Sequence, residues 1–343
     1  MRMQRMAAVC LMVLGTLLIL PLPAWAGPIT QLVVFGDSLS DTGNAFALTN
    51  STYPPPSFGY DAGRFSNGPI WVEQLASRLG VPTPTPSSKG GTDYAFGGAT
   101  TGSTPLGDLL GTPPGYSPLT TPSGQFIANV PTIPTQVSTY ISSLNGGRPG
   151  PGSLFLLWGG ANDFFDGQTD PSVPAKNIAN EITALIGAGG KDFLVPNLPD
   201  LSKTPFGLTS SSNVQAGLQA LSLGFDFYLG QDLAQVAAAN PGVRIASLDV
   251  FSFFQQIQKN PSKFGLSNVT DMAITNPTAA SGYLFWDDVH PTTVGHGLLA
   301  DAAFDAVTPE PASVTLFSIG LIGMVGYGWR RQKARVPRGW PNE

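Results

Sequence analysis

The sequence predicts an α/β fold in which a parallel sheet is covered on both faces by helices. Three observations carry this. Short, nearly uninterrupted apolar runs recur along the chain, bounded by Gly, Pro, Asn and Asp, as strands buried on both faces require. Longer stretches between them place apolar residues at helical spacing. Runs and stretches alternate, and alternation of strand with helix is the pattern of a parallel sheet.

Taken in order, the expected strands are QLVVF at 31–35, TDYAF at 92–96, SLFLLW at 153–158, DFLVP at 192–196 and VRIASLDV at 243–250. Helical patterns occupy 69–79, 133–144, 175–186 and 213–239, and a last helix is expected over 292–307. Ligands of such sheets bind at the carboxyl ends of the strands. Two segments break the alternation. Residues 102–131 are rich in Gly, Pro, Ser and Thr and almost free of charge, and 260–281 are similar. Loops that long are functional or disordered, and both follow element ends that should face the site.

The termini read as targeting segments. Residues 1–26 carry Arg2 and Arg5, an uncharged apolar run and the triplet Ala24-Trp25-Ala26, which is the layout of a secretory signal, so the mature chain is expected to begin near Gly27. Pro21 and Pro23 interrupt the run before the cleavage site, which argues against a membrane anchor. Near the other end, Pro309-Glu310-Pro311 precedes eighteen uncharged residues, 312–329, and then a basic cluster from Arg330 to Arg338. That apolar stretch is just long enough to span a bilayer with its basic end cytoplasmic.

Composition excludes several functions. The single cysteine, Cys10, lies in the signal, so the expected mature domain, 27–308, has no thiol nucleophile, thiolate metal site or disulfide. That domain holds 10 Lys plus Arg against 20 Asp plus Glu, a balance that argues against nucleic acid and anionic lipid surfaces as partners.

Ser38 follows the 31–35 strand, with Gly36 permitting a tight turn, and so stands at the carboxyl edge of the sheet. Gly-Asp-Ser is equally ordinary turn and cap chemistry. A serine nucleophile needs a base, and the chain has only two histidines, His290 and His296. Asp287 lies three residues before His290, and Pro291 after it opens the last helix. A carboxylate so placed can accept a hydrogen bond from one ring nitrogen and leave the other to take the serine proton. His296 falls on another helix face and reads as a packed or surface residue. Asp287, Asp288, His290 and His296 could together hold a divalent ion, but their spacing matches none of the familiar zinc or calcium patterns, and no metal is expected. Two further clusters offer donors for an oxyanion. Gly97-Gly98 closes the 92–96 strand, where a bare N–H can approach a substrate closely, and Asn162 follows the 153–158 strand with a side-chain amide. Both are also common turn residues.

Four clusters in order, Gly36-Asp37-Ser38, Gly98 in Gly-Gly-Ala-Thr-Thr, Gly160-Ala161-Asn162-Asp163 and Asp287-Asp288-Val289-His290, resemble the signature blocks of the GDSL, or SGNH, hydrolases. GRFSNGPIWVEQLA (63–76) and NLPDLSKTP (197–205) look like segments of the longer plant-type and bacterial lipase-like members. The resemblance implies a flavodoxin-like three-layer α/β/α sandwich with a mostly five-stranded parallel sheet. It implies Ser38 as nucleophile, His290 as base and Asp287 as orienting acid. Ser38, Gly98 and Asn162 would form the oxyanion hole, with Asp288 and Gly97 as the neighbouring alternatives. The absence of G-x-S-x-G fits this family rather than the α/β-hydrolases. The implied activity is hydrolysis of ester or lipid substrates through an acyl-enzyme, with no cofactor. Phospholipid cleavage or acyl transfer, polysaccharide deacetylation and a non-enzymatic envelope matrix role are the alternatives. The tail resembles the PEP-CTERM sorting signal, which implies processing by an exosortase and a protein released or attached at the cell envelope.

Overall fold

The computed structural model describes residues 27–308; the expected signal 1–26 and the tail with its apolar run 312–329 lie outside the described residues. Strand β1 (Gln31–Gly36) leads into helices α1 (Asn44–Leu48) and α2 (Trp71–Leu79). A cap follows, built from α3 (Pro105–Leu109) and the antiparallel hairpin β2 (Tyr116–Thr120) and β3 (Phe126–Pro131). The chain continues through α4 (Ile133–Ser143), β4 (Ser153–Trp158), α5 (Ala161–Phe165), α6 (Ser172–Gly187) and β5 (Asp192–Pro196). After these come α7 (Pro205–Thr209), α8 (Ser212–Ala239), β6 (Arg244–Leu248) and α9 (Val250–Lys259). The last elements are a short parallel pair, β7 (Asn268–Met272) and β8 (Tyr283–Phe285), and α10 (Thr293–Val307).

The central sheet is parallel in the order β1-β4-β5-β6. Strand side chains alternate between faces, and both faces are buried. Val33, Phe35, Phe155, Leu157, Phe193 and Val195 join one core with residues of α4, α6 and α8. The intervening Leu32, Val34, Leu154, Leu156 and Leu194 are fully buried as well, toward the face where α2 packs on α10. Each such side chain contributes about 1.5–3 kcal/mol by leaving water.

Two expected strands differ. The run 92–96 does not form a fifth full strand; it lies along β1 with one parallel bridge, Val34 to Asp93, and donates from Tyr94 N to Val34 O (2.8 Å) and from Phe96 N to Gly36 O (3.2 Å). Its other side is taken up locally, because the Asn44 side chain donates to the carbonyls of Asp93 (2.8 Å) and Ala95 (2.9 Å). The sheet therefore has four strands and an extended edge segment. The run 243–250 stops at Leu248, since Asp249 caps α9 by accepting from Ser252 N (3.0 Å). The segment 102–131 proves to be the ordered cap.

Close approach fixes the carboxyl end of β1. A Cβ on Gly36 would meet the Trp158 carbonyl oxygen of β4 far inside contact distance. The Gln136 side chain of α4 both donates to Gly36 O and accepts from Gly36 N, each at 2.9 Å. Among the described residues no helix is long and apolar enough to cross a membrane.

Candidate active site

Ser38 sits two residues past β1, in a turn closed by Ser40 N and Asp41 N donating to Asp37 O at 3.0 and 3.1 Å. His290 reaches it from the loop before α10. That loop is tied back on itself, with Trp286 N donating to His290 O at 2.7 Å. The His290 Nε2 atom lies 2.7 Å from Ser38 Oγ. Its Nδ1 atom lies 2.7 and 2.9 Å from the two oxygens of Asp287. Asp287 Oδ1 also accepts from the backbone N–H groups of Val289 (3.0 Å) and His290 (2.8 Å), so the D-x-x-H spacing makes a turn that locks the carboxylate onto its own histidine. The sequence favours Asp287, with Asp288 as the neighbouring alternative. Asp287 makes these bonds, while Asp288 lines the cavity and has no side-chain bond to the ring.

Tyr60 was not visible to sequence reasoning. Its hydroxyl donates to Asp287 Oδ2 at 2.7 Å from 227 positions away, and a lone tyrosine in a loop carries no signal of such a partner. Burial opposes ionisation of Asp287, yet the His290 charge and the bonds from His290 and Tyr60 outweigh it and hold its carboxyl below the ordinary range. Burial likewise lowers His290, but Asp287, Asp288 and Asp37 outweigh it and raise the imidazole above its ordinary value. Burial and the Asp287 charge raise Asp288.

The donor candidates also converge. Gly98 has φ of 80°, and a Cβ there would lie 2.9 Å from Leu119 Cδ1 of the cap hairpin. Gly97 N donates to Asp41 Oδ2 at 2.8 Å and is occupied. Among the described residues the N–H groups of Ser38 and Gly98 have no partner. Asn162, in the first turn of α5, donates one amide hydrogen to Ala99 O at 2.9 Å, which leaves its second hydrogen. Ser38, Gly98, Asn162 and His290 all line one cavity of about 510 Å³.

Buried carboxylates hold these segments together. Asp41 accepts from the N–H groups of Gly43 (2.7 Å), Asn44 (2.5 Å) and Ala45 (3.0 Å) as well as Gly97, which fastens the Ser38 turn to the glycine loop. Asp163, beside Asn162, accepts from Thr101 Oγ1 at 2.6 Å and Thr101 N at 3.0 Å, which fastens α5 to the same loop. Burial pushes Asp41 up to about 6 and Asp163 up to about 7 against the pull of these bonds. Asp163 stands in the Gly160–Asp163 motif, and a carboxylate next to a donor is the signal that could have found it; Asp41, three residues past Ser38, lies outside the Gly36-Asp37-Ser38 motif.

His296 is fully buried, with neither ring nitrogen partnered, and burial lowers it to about 3. Among the described residues no group of three or more His, Asp or Glu is gathered as a metal-ligand set.

Known proteins and family models match most of the chain. The GDSL-like Lipase/Acylhydrolase model matches residues 32–303, and the PEP-CTERM protein-sorting motif matches 307–332. The chain is 28% identical over 330 residues to a phosphatidylcholine-sterol acyltransferase of Aeromonas hydrophila, covering 80% of this chain and 89% of that one. It is 28% identical over 300 residues to a thermolabile hemolysin of Vibrio parahaemolyticus, covering 81% of this chain and 64% of that one. A GDSL esterase/lipase of Arabidopsis thaliana is 26% identical over 328 residues, with 81% and 82% covered. Among solved structures, a lipolytic G-D-S-L family protein of Veillonella parvula aligns with a TM-score of 0.43 and 15% identity, covering 81% of this chain and 98% of that one. With its family model running from β1 into α10, the chain belongs to the GDSL-like lipase/acylhydrolase family.

Proposed function

We propose that this chain is an exported serine ester hydrolase in which Ser38, His290 and Asp287 act in sequence on carboxylic esters. The observation that carries the reading is the continuous hydrogen-bonded chain from Asp287 through His290 to Ser38 Oγ, with both links at 2.7 Å. Ser38 Oγ attacks the carbonyl carbon while its proton passes to His290 Nε2, and Asp287 stabilises the imidazolium. The N–H groups of Ser38 and Gly98 and the Asn162 amide receive the oxyanion, each such donor being worth roughly 3 kcal/mol in the transition state. The proton then passes from His290 to the departing alcohol oxygen, which leaves an acyl-serine. Water, deprotonated by the same imidazole, releases the carboxylic acid and restores Ser38.

The sorting motif at 307–332 and the apparent signal at 1–26 support export to the cell envelope, with exosortase processing of the tail. Replacement Ser38→Ala tests the chemistry. It should abolish both hydrolysis of p-nitrophenyl esters and labelling by a fluorophosphonate, and retention of either would refute the assignment.

A further inference from the structure

The cavity beside Ser38 encloses about 510 Å³. An acetyl ester would fill a small fraction of it. Its walls are apolar where they leave Ser38: Leu106 and Leu119 from the cap, Phe164 and Phe165 from α5, Phe206 from α7 and Val214 from α8. The Phe165 and Phe206 rings meet edge to face at 5.5 Å, which joins α5 to α7 across the cavity. Phe206 and Val214 remain 38% and 44% exposed, so the apolar lining continues out to the surface as the floor of an open cleft.

Charge in this cavity has one sign. No Lys or Arg lines it, whereas Asp37, Asp166 and Asp288 do. Their positions differ in consequence. Asp37 is buried and accepts from Leu39 N at 3.0 Å. Asp166 is held against the cap, where its backbone oxygen accepts from Leu106 N at 3.0 Å. Asp288 is two residues from His290 on the same wall, and its backbone oxygen accepts from Phe206 N at 2.8 Å. The leaving alcohol must depart within hydrogen-bond reach of His290 Nε2, because that atom gives it its proton. Asp288 lines the same cavity and its charge acts on the His290 ring, so the alcohol portion of a substrate leaves within the field of that carboxylate.

Resting on the acyl-enzyme reading above, we propose that the substrates are esters of long apolar acyl chains with uncharged or cationic alcohols, and that Asp288 is the residue that turns anionic alcohols away. A methylene moved from water to an apolar wall improves binding by up to about fourfold. A like charge near a half-buried carboxylate disfavours binding by roughly tenfold to a hundredfold. An acetylated polysaccharide fails the first term, and a uronate-bearing one fails the second as well.

The test uses the purified chain and two ester series, all below their micellar concentrations. In the first, p-nitrophenyl esters run from acetate to palmitate, and kcat/KM should rise at least a hundredfold from acetate to decanoate. In the second, laurate is esterified to ethylene glycol, choline or isethionate, which are neutral, cationic and anionic alcohols. The glycol and choline esters should be hydrolysed at least tenfold faster than the isethionate ester, and Asp288→Asn should narrow that ratio at least threefold. Val214→Trp, at an exposed position on the cavity wall, should depress the long-chain rate relative to butyrate. A maximum at acetate or butyrate, or equal rates on the three laurates, would overturn the inference while fluorophosphonate labelling of Ser38 leaves the acyl-enzyme reading standing. Absence of both labelling and hydrolysis would overturn the two together.

Discussion

Asp287→Asn isolates the carboxylate from its neighbour Asp288 with the smallest change of shape. The native Oδ1 accepts from Val289 N and His290 N, and both oxygens face His290 Nδ1. An asparagine keeps its one oxygen on the two backbone N–H groups and must then present its NH₂ to Nδ1 and to the Tyr60 hydroxyl. The tyrosine can rotate its proton away and accept, so the fold is undisturbed. The imidazole cannot adapt without harm: Nδ1 becomes the acceptor, and Nε2 carries the proton and donates to Ser38 instead of accepting from it. The wrong tautomer costs about 10⁴ in the best-studied serine hydrolases, or about 5 kcal/mol of transition-state stabilisation. We expect a loss of 10³ to 10⁴ in kcat/KM on p-nitrophenyl decanoate, with a parallel slowing of fluorophosphonate labelling and an unchanged thermal midpoint. Asp288→Asn should cost far less on the same neutral ester. A loss under tenfold for Asp287→Asn, or a larger loss at Asp288 than at Asp287, would refute the assignment.

Three other outcomes follow from the same geometry. Asn162→Ala removes one oxyanion donor and should lower kcat by 10² to 10³ with little change in KM; a change confined to KM would place Asn162 in ground-state binding instead. His290 must be neutral to act as base and is raised above 6.5, so kcat/KM should fall as pH drops through a midpoint above 6.5. Asp288→Asn, which removes one of the raising charges, should shift that midpoint downward, and a native midpoint well below 6.5 would contradict the electrostatics. His296, held neutral down to about 3, takes up a proton more readily in the unfolded chain, so the stability tied to it is present above pH 6.5 and lost as pH falls from there toward 3. At pH 5 that loss is about 2 kcal/mol. In His296→Leu the fall in unfolding free energy between pH 7 and pH 5, measured by urea denaturation, should be smaller by that amount, and an identical fall would rule out the buried neutral imidazole.

Legibility in the sequence tracked the range of the cause. β4 and β5 were readable to the residue, because a strand buried on both faces writes itself as a continuous apolar run. TDYAF runs along β1 as an extended edge segment and not a full strand, since its outer side is taken by the backbone of 85–87 and by the Asn44 side chain, about fifty positions away. The hairpin at 116–131 was unreadable for the opposite reason. Its strands carry Pro118 and Pro131 and pair mainly with each other, so composition marked the whole segment as loop. At the site, His290 and Asp287 were legible because their contact spans three residues. The resemblance favoured Gly98 over Gly97, and the physical reason, that Asp41 already holds the Gly97 N–H, lies in a contact 56 positions apart. Tyr60 was beyond reach altogether.

The proposed oxyanion donors pose a structural problem that these contacts explain. Ser38, Gly98 and Asn162 belong to three segments that leave the sheet separately, and strand pairing, which ends at Gly36, Phe96 and Trp158, stops short of the donors and does not brace them. Asp41 and Asp163 do so instead, and each bonds a residue next to a donor while leaving the donor itself free: Gly97 beside Gly98, and Thr101 on the loop that Asn162 faces. An amide side chain has one acceptor oxygen and could not collect the four N–H groups that Asp41 gathers. Burial raises both carboxyls, so the stability they contribute is fully present below their ordinary 3.8 and is lost as pH rises through about 6 and 7. At neutral pH the braces are therefore ionised, wholly or in part, against a burial cost. A fold selected for stability alone would not keep two buried charges at this position, whereas a site that must hold three unpaired donors at one point needs acceptors of fixed geometry close beside them.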